Sequence, residues 1–418
     1  MAGVTSWDRA DLIRRLCQSL DVAKQAVRSL AQDGYQDDRD SADSVRPEKV
    51  ISETALLLYA SSHLVDIQEV GARIQALAEL LSPHARSARM RAGVCFEPAL
   101  AMDYAQAHAC LHKLGFRDEA FGTLLRVTVD SQAFGNRERA PHRTLEQGWI
   151  AALCGLQIPG LRRQSSLAAS VSAMARSPDL LNGSREDAYA LTHAIMYATD
   201  FGFSRARLPR CRKDILREAE ALLAGCLDTE DYDLAGELLL AWPLTGESWS
   251  SIATFAFKVL ASVEDDAGFL PSAGTRIDKA NSLTGERRAG YLLSSAYHTI
   301  YVMGLLAAAS LKQRRAPPSQ LHRVEAMPER DSDSILSVYH LEDAPHWQRI
   351  AEQLPREEQN ALTELFLIIA VRRAVRVRDF ETVHRTLLRA LQGDVADGPL
   401  WSQASELINR VQVYAQYQ

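Results

Sequence analysis

No run of eighteen apolar residues occurs in this sequence. The longest, Ile300 to Ala309, falls short even when Gly304 is counted, and Leu365 to Val371 is fenced by Glu364 and Arg372. A membrane-spanning helix, which needs about twenty apolar residues, is therefore not expected. The N-terminus has neither a basic leader nor an apolar segment behind it, so secretion is not expected and a cytoplasmic location is. Cysteine is sparse and scattered: Cys17, Cys95, Cys110, Cys154, Cys211 and Cys226 form no Cys-x-x-Cys pair. That spacing argues against a zinc ribbon, a redox pair or a disulfide scaffold, and fits small core residues in a reducing compartment.

Excess positive charge is also missing. The net charge of −6 offers no global attraction for a phosphate backbone, so nucleic acid is not expected as a partner. Two short basic runs, 205–213 and 312–315, lie beside proline and lack interleaved aromatics, which reads as solvated helix ends or linkers. Walker, Gly-x-Gly-x-x-Gly, His-Glu-x-x-His, Gly-x-Ser-x-Gly and kinase motifs are all absent, which disfavours nucleotide-driven chemistry and the common hydrolase scaffolds. His108 and His112 stand one helical turn apart, but with no acid beside them they read as a half-exposed helix face.

What is present is helical periodicity. Leu12, Ile13, Leu16, Leu20, Ala23, Val27 and Leu30 recur at three- and four-residue steps, and similar patterns run to the C-terminus, giving about sixteen helices. The last long one in the core is expected over about 285–312. Pro47 fits the first turn of a helix, where its missing N–H costs nothing. Strand-like alternation is scarce. Three turns, 114–120, 228–235 and 376–383, share acids leading into a small or apolar residue, as in α-hairpin repeats. The fold class is therefore all-α: an α/α hairpin array, with closure into an α/α toroid as one form, and a small C-terminal helical appendage. The expected organisation is an N-terminal helix and acidic loop (1–45), a helical core (46–310), a linker or long loop (311–335) and C-terminal hairpins (336–418). The acidic stretch 32–45 reads as a solvated loop rather than a paired-carboxylate metal site.

Polar residues inside apolar helices mark the candidate site. Glu53 falls among Val50, Ile51, Ala55, Leu56 and Leu57, with a helix-dipole role as the plain alternative. Glu146 and Trp149 share a face and are expected to bind substrate along with Glu53. His193, Tyr197 and Asp200 at i, i+4 and i+7 form a polar stripe, which must be satisfied internally or face a cavity. His298 and Tyr301 repeat the pattern in another apolar helix, and Asp266 sits in a loop at a helix end. Catalytic roles are assigned to His193, Tyr197, Asp200, His298 and Tyr301. A divalent metal, if held, would take His193, His298 and Asp266.

Three blocks carry a resemblance: Pro-Glu-Lys-x3-Glu-Thr-Ala-Leu-Leu-Leu from Pro47, Thr-His-x3-Tyr-x-Thr-Asp-Phe-Gly from Thr192, and Tyr-His-Thr-x-Tyr-Val-x-Gly-Leu-Leu from Tyr297. As a set they resemble a helical family of bacterial, chiefly actinobacterial, proteins with no established activity. The resemblance covers about residues 46–306 and leaves the reaction open. The residues themselves favour an enzyme acting on a small-molecule ligand, with metal-assisted hydrolysis, lyase or cyclisation chemistry in bacterial metabolism as the expected types. The rival is a non-catalytic helical-repeat protein that binds a peptide, a protein partner or a small ligand, with the stripes serving as structural networks.

Overall fold

The structure is a computed structural model and describes residues 7–30, 47–205, 207–312, 315–321, 344–393 and 395–416. The acidic stretch 32–45 and most of the expected linker lie outside these. Among the described residues every regular element is helical and no strand occurs. The chain runs α1 (Arg9–Arg28), α2 (Pro47–Ser61), α3 (Gln68–Ala85), α4 (Ala88–Phe96), α5 (Ala101–Lys113) and α6 (Glu119–Val129). It continues through α7 (Pro141–Leu153), α8 (Leu161–Val171), α9 (Arg185–Ala198), α10 (Arg212–Asp228), α11 (Tyr232–Leu239) and α12 (Ala241–Thr245). Then come α13 (Ser251–Ala267), α14 (Ile277–Ser282), α15 (Gly285–Ser295) and α16 (Tyr297–Ser310). The C-terminal part holds α17 (His346–Glu352), α18 (Arg356–Asn360), α19 (Thr363–Arg376), α20 (Phe380–Gln392) and α21 (Pro399–Ala415).

The shared turns have a common physical basis. Gly115, Glu230 and Arg378 take left-handed backbone angles (φ 93°, 54° and 60°) just after α5, α10 and α19. Three residues after Gly115, and one after Glu230 and Arg378, an aspartate (Asp118, Asp231 or Asp379) caps the next helix by accepting a backbone N–H. α9 starts on a full capping box, with Ser184 and Asp187 each accepting from the other's backbone.

Six helices close on one another: α2 packs on α5, α5 on α7, α7 on α9, α9 on α11, α11 on α16, and α16 back on α2. Around them, α1 covers α16 and α3, α8 covers α7, and α10 and α13 cover α11. The core between them includes the fully buried side chains of Trp242, Phe121, Phe255, Phe257 and Leu57. Truncating any such leucine to alanine would cost about 2–5 kcal/mol.

The helix expected over 285–312 is instead two, α15 and α16, bent by 75°. The carbonyl of Ser295 does not continue the helical ladder across the bend; it accepts the hydroxyls of Ser272 (2.6 Å) and Thr275 (3.0 Å). The hydroxyls satisfy the carbonyl, and the chain is free to turn at Ala296. No single helix among the described residues is long and apolar enough to cross a membrane.

Two expectations about basic runs are corrected. Lys312 donates to the Phe201 carbonyl (3.0 Å), and Arg315 donates to those of Gly202 and Pro243, so both residues fasten the end of α9 rather than face solvent. Arg210 makes a two-pronged pair with the buried Glu218, at 2.6 Å on each side. His108 is also more enclosed than expected: it is buried and stacks on Phe121. Burial and the Arg86 guanidinium push its pKa down to about 4.

The C-terminal helices pack back on the core, with α19 and α21 against α10 and α17 against α13. Arg373 grips Asp228, and Arg372 donates to the Leu180 carbonyl. Gln403 bridges the backbone of Leu180 and Pro178.

Candidate functional site

The six closed helices surround a cavity of about 720 Å³. α2 contributes Lys49, Ser52, Glu53 and Leu56; α5 contributes Asp103, Tyr104 and Gln106; α7 contributes Arg143 and Glu146. α9 adds Tyr189, His193, Met196 and Tyr197, α11 adds Glu237, and α16 adds His298, Tyr301, Val302 and Leu305. An irregular segment, Arg137 to Ala140, completes the wall.

His298 stands in the first turn of α16, immediately after the bend, and three carboxylates converge on it. Its Nδ1 lies 3.1 Å from Glu53 Oε2, and its Nε2 lies 3.5 Å from both Asp233 Oδ1 and Glu237 Oε1. Burial alone would lower its pKa, but Glu53, Asp233 and Glu237 overcome that and hold it well above the ordinary histidine range. His298 is therefore an imidazolium at neutral pH. The acids respond unequally. Burial opposes ionisation of Glu237, but the two histidines and the Thr192 hydroxyl outweigh it and bring its pKa down to about 2. Asp233, for which burial outweighs the pull of His298, is shifted upward.

His193 meets the same acid from another side. Its Nδ1 is 3.1 Å from the Tyr189 carbonyl and 3.6 Å from Glu237 Oε2, while Thr192 donates to that same Oε2 at 2.7 Å. The carbonyl can only accept, so Nδ1 is the donor in that contact. No described residue forms a hydrogen bond with the ring's Nε2. The ring stacks on Tyr189 at 3.7 Å between centroids, which fixes its plane.

Glu146 anchors the opposite wall. It accepts the Tyr197 hydroxyl at 2.6 Å and Arg143 at 2.8 Å. Burial and Glu146 together raise the Tyr197 pKa well above the phenol range, so Tyr197 stays a donor. Tyr301, fully buried, shares a hydrogen bond of 3.0 Å with Thr54.

Of the residues singled out from sequence, Glu53, Glu146, His193, Tyr197, His298 and Tyr301 line this one cavity. Asp200 does not, which corrects its catalytic assignment. α9 ends at Ala198, and Asp200, Phe201 and Gly202 all turn through left-handed angles (φ 50°, 50° and 78°). Asp200 therefore leaves the stripe and accepts the Tyr59 hydroxyl (2.8 Å) and the Trp149 indole (2.7 Å). Trp149 is likewise committed to packing against Tyr59, Tyr197 and Phe201 instead of lining the cavity. Asp266 is displaced altogether: it projects from the end of α13, 69% exposed, with its carboxylate 3.6 Å from His346. The set His193, His298 and Asp266 is thus not assembled. No group of three His, Cys, Asp or Glu side chains among the described residues is arranged to hold a metal ion.

Sequence reasoning missed Glu237, Asp233 and Tyr189. Glu237 lies between Leu234, Ala235, Leu238 and Leu239, the same polar-within-apolar signal that marks Glu53. Tyr189 is one turn before His193 and extends its stripe.

Fold and cavity together define an all-α protein with a pocket lined by histidine, tyrosine and acidic side chains. The chain belongs to the family of a domain of unknown function, DUF6895, whose model matches residues 17–308 and so takes in the six helices of the pocket but for the last two residues of α16. No curated protein and no solved structure matches the chain.

Proposed function

We propose that this protein is an enzyme acting on a small polar molecule within the cavity, with His193 as the proton-transferring group. The observation that carries the reading is the placement of His193: Nδ1 lies against the Tyr189 carbonyl beside Glu237, and Nε2 has no hydrogen-bond partner among the described residues. A base needs an available lone pair and an orienting acceptor behind its other nitrogen. In the reaction, Nε2 takes a proton from a substrate C–H or O–H and becomes an imidazolium, stabilised by Glu237. The same proton then returns to the leaving or rearranged group. His298, already cationic, offsets negative charge that develops on the substrate. Elimination, cyclisation and hydrolysis all fit this arrangement.

The test incubates purified protein with a polar metabolite extract and follows it by mass spectrometry. Wild type should convert at least one component, and His193→Gln should slow that conversion by about 10²–10⁴-fold while remaining folded. Conversion at the wild-type rate by a folded His193→Gln variant would overturn the assignment. Depletion of a component by binding, with no product from either protein, would favour the non-catalytic reading.

A further inference from the structure

We infer that the C-terminal helix α20 is a self-association surface, along which two copies of the chain pair antiparallel about a two-fold axis near His384. The surface lies outside the cavity and beyond the residues that the family model matches, so it stands or falls independently of the proposed chemistry.

α20 packs on α19 and α21. Its buried residues, Val383, Thr386, Leu387 and Ala390, form one face. With about 100° turned per residue, Phe380, His384, Leu388 and Leu391 fall on an adjoining strip, which Val377 extends from the preceding turn. The strip is open: Val377 is 73% exposed, Leu391 59%, Leu388 43% and Phe380 37%. A single surface leucine needs no explanation, but four large apolar side chains in one line do. A helical array normally ends on a polar outer face, whereas this outer face is apolar along its centre.

The order of residues along the strip points to a second copy as its occupant. The apolar positions are symmetric about His384, with Phe380 and Leu388 four residues to either side and Val377 and Leu391 seven. In an antiparallel pair centred there, Phe380 of each copy meets Leu388 of the other, Val377 meets Leu391, and the two His384 rings face each other. Charge follows the same symmetry. In antiparallel pairing each flank of a helix faces the same flank of its partner, as a two-fold contact requires. The flank beside the strip carries Glu381 before the centre and Arg385 after it, so opposite charges meet on both sides of the axis. Both residues are exposed; Glu381 forms no ion pair among the described residues, and Arg385 donates to the Thr382 hydroxyl at 2.8 Å. An occupant other than a second copy would not call for this two-fold pattern. α20 has 13 residues and is about 20 Å long, a small contact beside the roughly 1,600 Å² of a standard interface, so the dimer is expected to be weak, with a Kd on the order of 10–100 µM.

Sedimentation equilibrium of the full chain, from about 2 to 300 µM at low salt, tests the inference, since exposed charges act most strongly there. Wild type should pass from monomer towards a limiting dimer. Leu388→Asp should weaken dimerisation at least tenfold. Glu381→Arg and Arg385→Glu should each weaken it at least threefold, because like charges then meet across the axis. The double variant exchanges the two signs and should return to within twofold of wild type, a rescue that unfolding of either single variant could not produce. Circular dichroism melts should show every variant folded. The inference is overturned if wild type stays monomeric throughout, as it would if another segment of the chain or a different partner covers the strip. It is equally overturned if assembly continues beyond the dimer, if Leu388→Asp dimerises like wild type, or if the double variant is no better than the single ones.

Discussion

Replacing His298 by glutamine tests the electrostatic core of the site. The variant keeps a polar side chain of similar size but removes the one cation that Glu53, Asp233 and Glu237 all face. Removing one partner of a buried ion pair costs about 3–5 kcal/mol, because the remaining charge stays desolvated. With an unfolding entropy of about 2.1 cal/mol/K per residue, a chain of 418 residues should then lose about 3–6 °C in Tm at pH 7. The pH profile adds a sign. The folded-state pKa of His298 is raised, so its contribution is full below about pH 6.5 and declines as pH rises above that value. Wild type should therefore lose Tm from pH 6.5 upward, and His298→Gln should lack that component. On acidification the variant should recover part of its deficit as the crowded carboxylates take up protons. Circular dichroism melts from pH 5 to pH 9 read both effects. A variant melting within one degree of wild type at pH 7, with a parallel pH profile, would refute the idea that this cluster is charged.

Other consequences can be measured in the same way. Arg373→Ala leaves the buried Asp228 carboxylate without its partner and should lower stability by about 3–5 kcal/mol, seen as a reduced denaturant midpoint. Burial raises Glu220 to about pKa 7, so its ionisation opposes folding increasingly from about pH 4.5 up to 7. Glu220→Gln should therefore raise Tm at pH 8 and leave it unchanged at pH 4; a fall at pH 8 would contradict the direction. Ser272→Ala combined with Thr275→Val strips both hydroxyls from the Ser295 carbonyl, an expected loss of about 1–3 kcal/mol in chemical denaturation.

The all-α class and most helix positions were legible because apolar residues recur with the helical period, and the turn chemistry at Asp118, Asp231 and Asp379 is local. The grouping of Glu53, Glu146, His193 and His298 was legible in part, since an ionisable group inside an apolar stripe has few options. Periodicity failed at Asp200 because it holds only while the helix continues, and α9 stops two residues earlier. Asp266 was placed in a loop at a helix end, but α13 continues through it: the buried acid there is Glu264, which takes Arg15, and two residues further on the side chain points outward. Glu237 carries the same polar-within-apolar signal as Glu53 but stands two residues beyond the acid-rich turn 228–235. The bend at Ala296 depends on hydroxyls from more than twenty residues earlier, which no local window contains.

The left-handed run at Asp200, Phe201 and Gly202 bears on how this family can diversify. Non-glycine residues pay about 1 kcal/mol or more in that conformation, and here two adjacent ones are held in it by Tyr59, Trp149, Lys312 and Arg315. Phe201, mounted on that backbone, forms part of the cavity wall. A substitution there must satisfy several distant partners at once, so this wall is expected to change little between relatives. Across the cavity, Arg137 to Ala140 carry no helical ladder and are largely exposed. New shapes and selectivities would therefore arise by drift on that side, against a fixed face at Phe201.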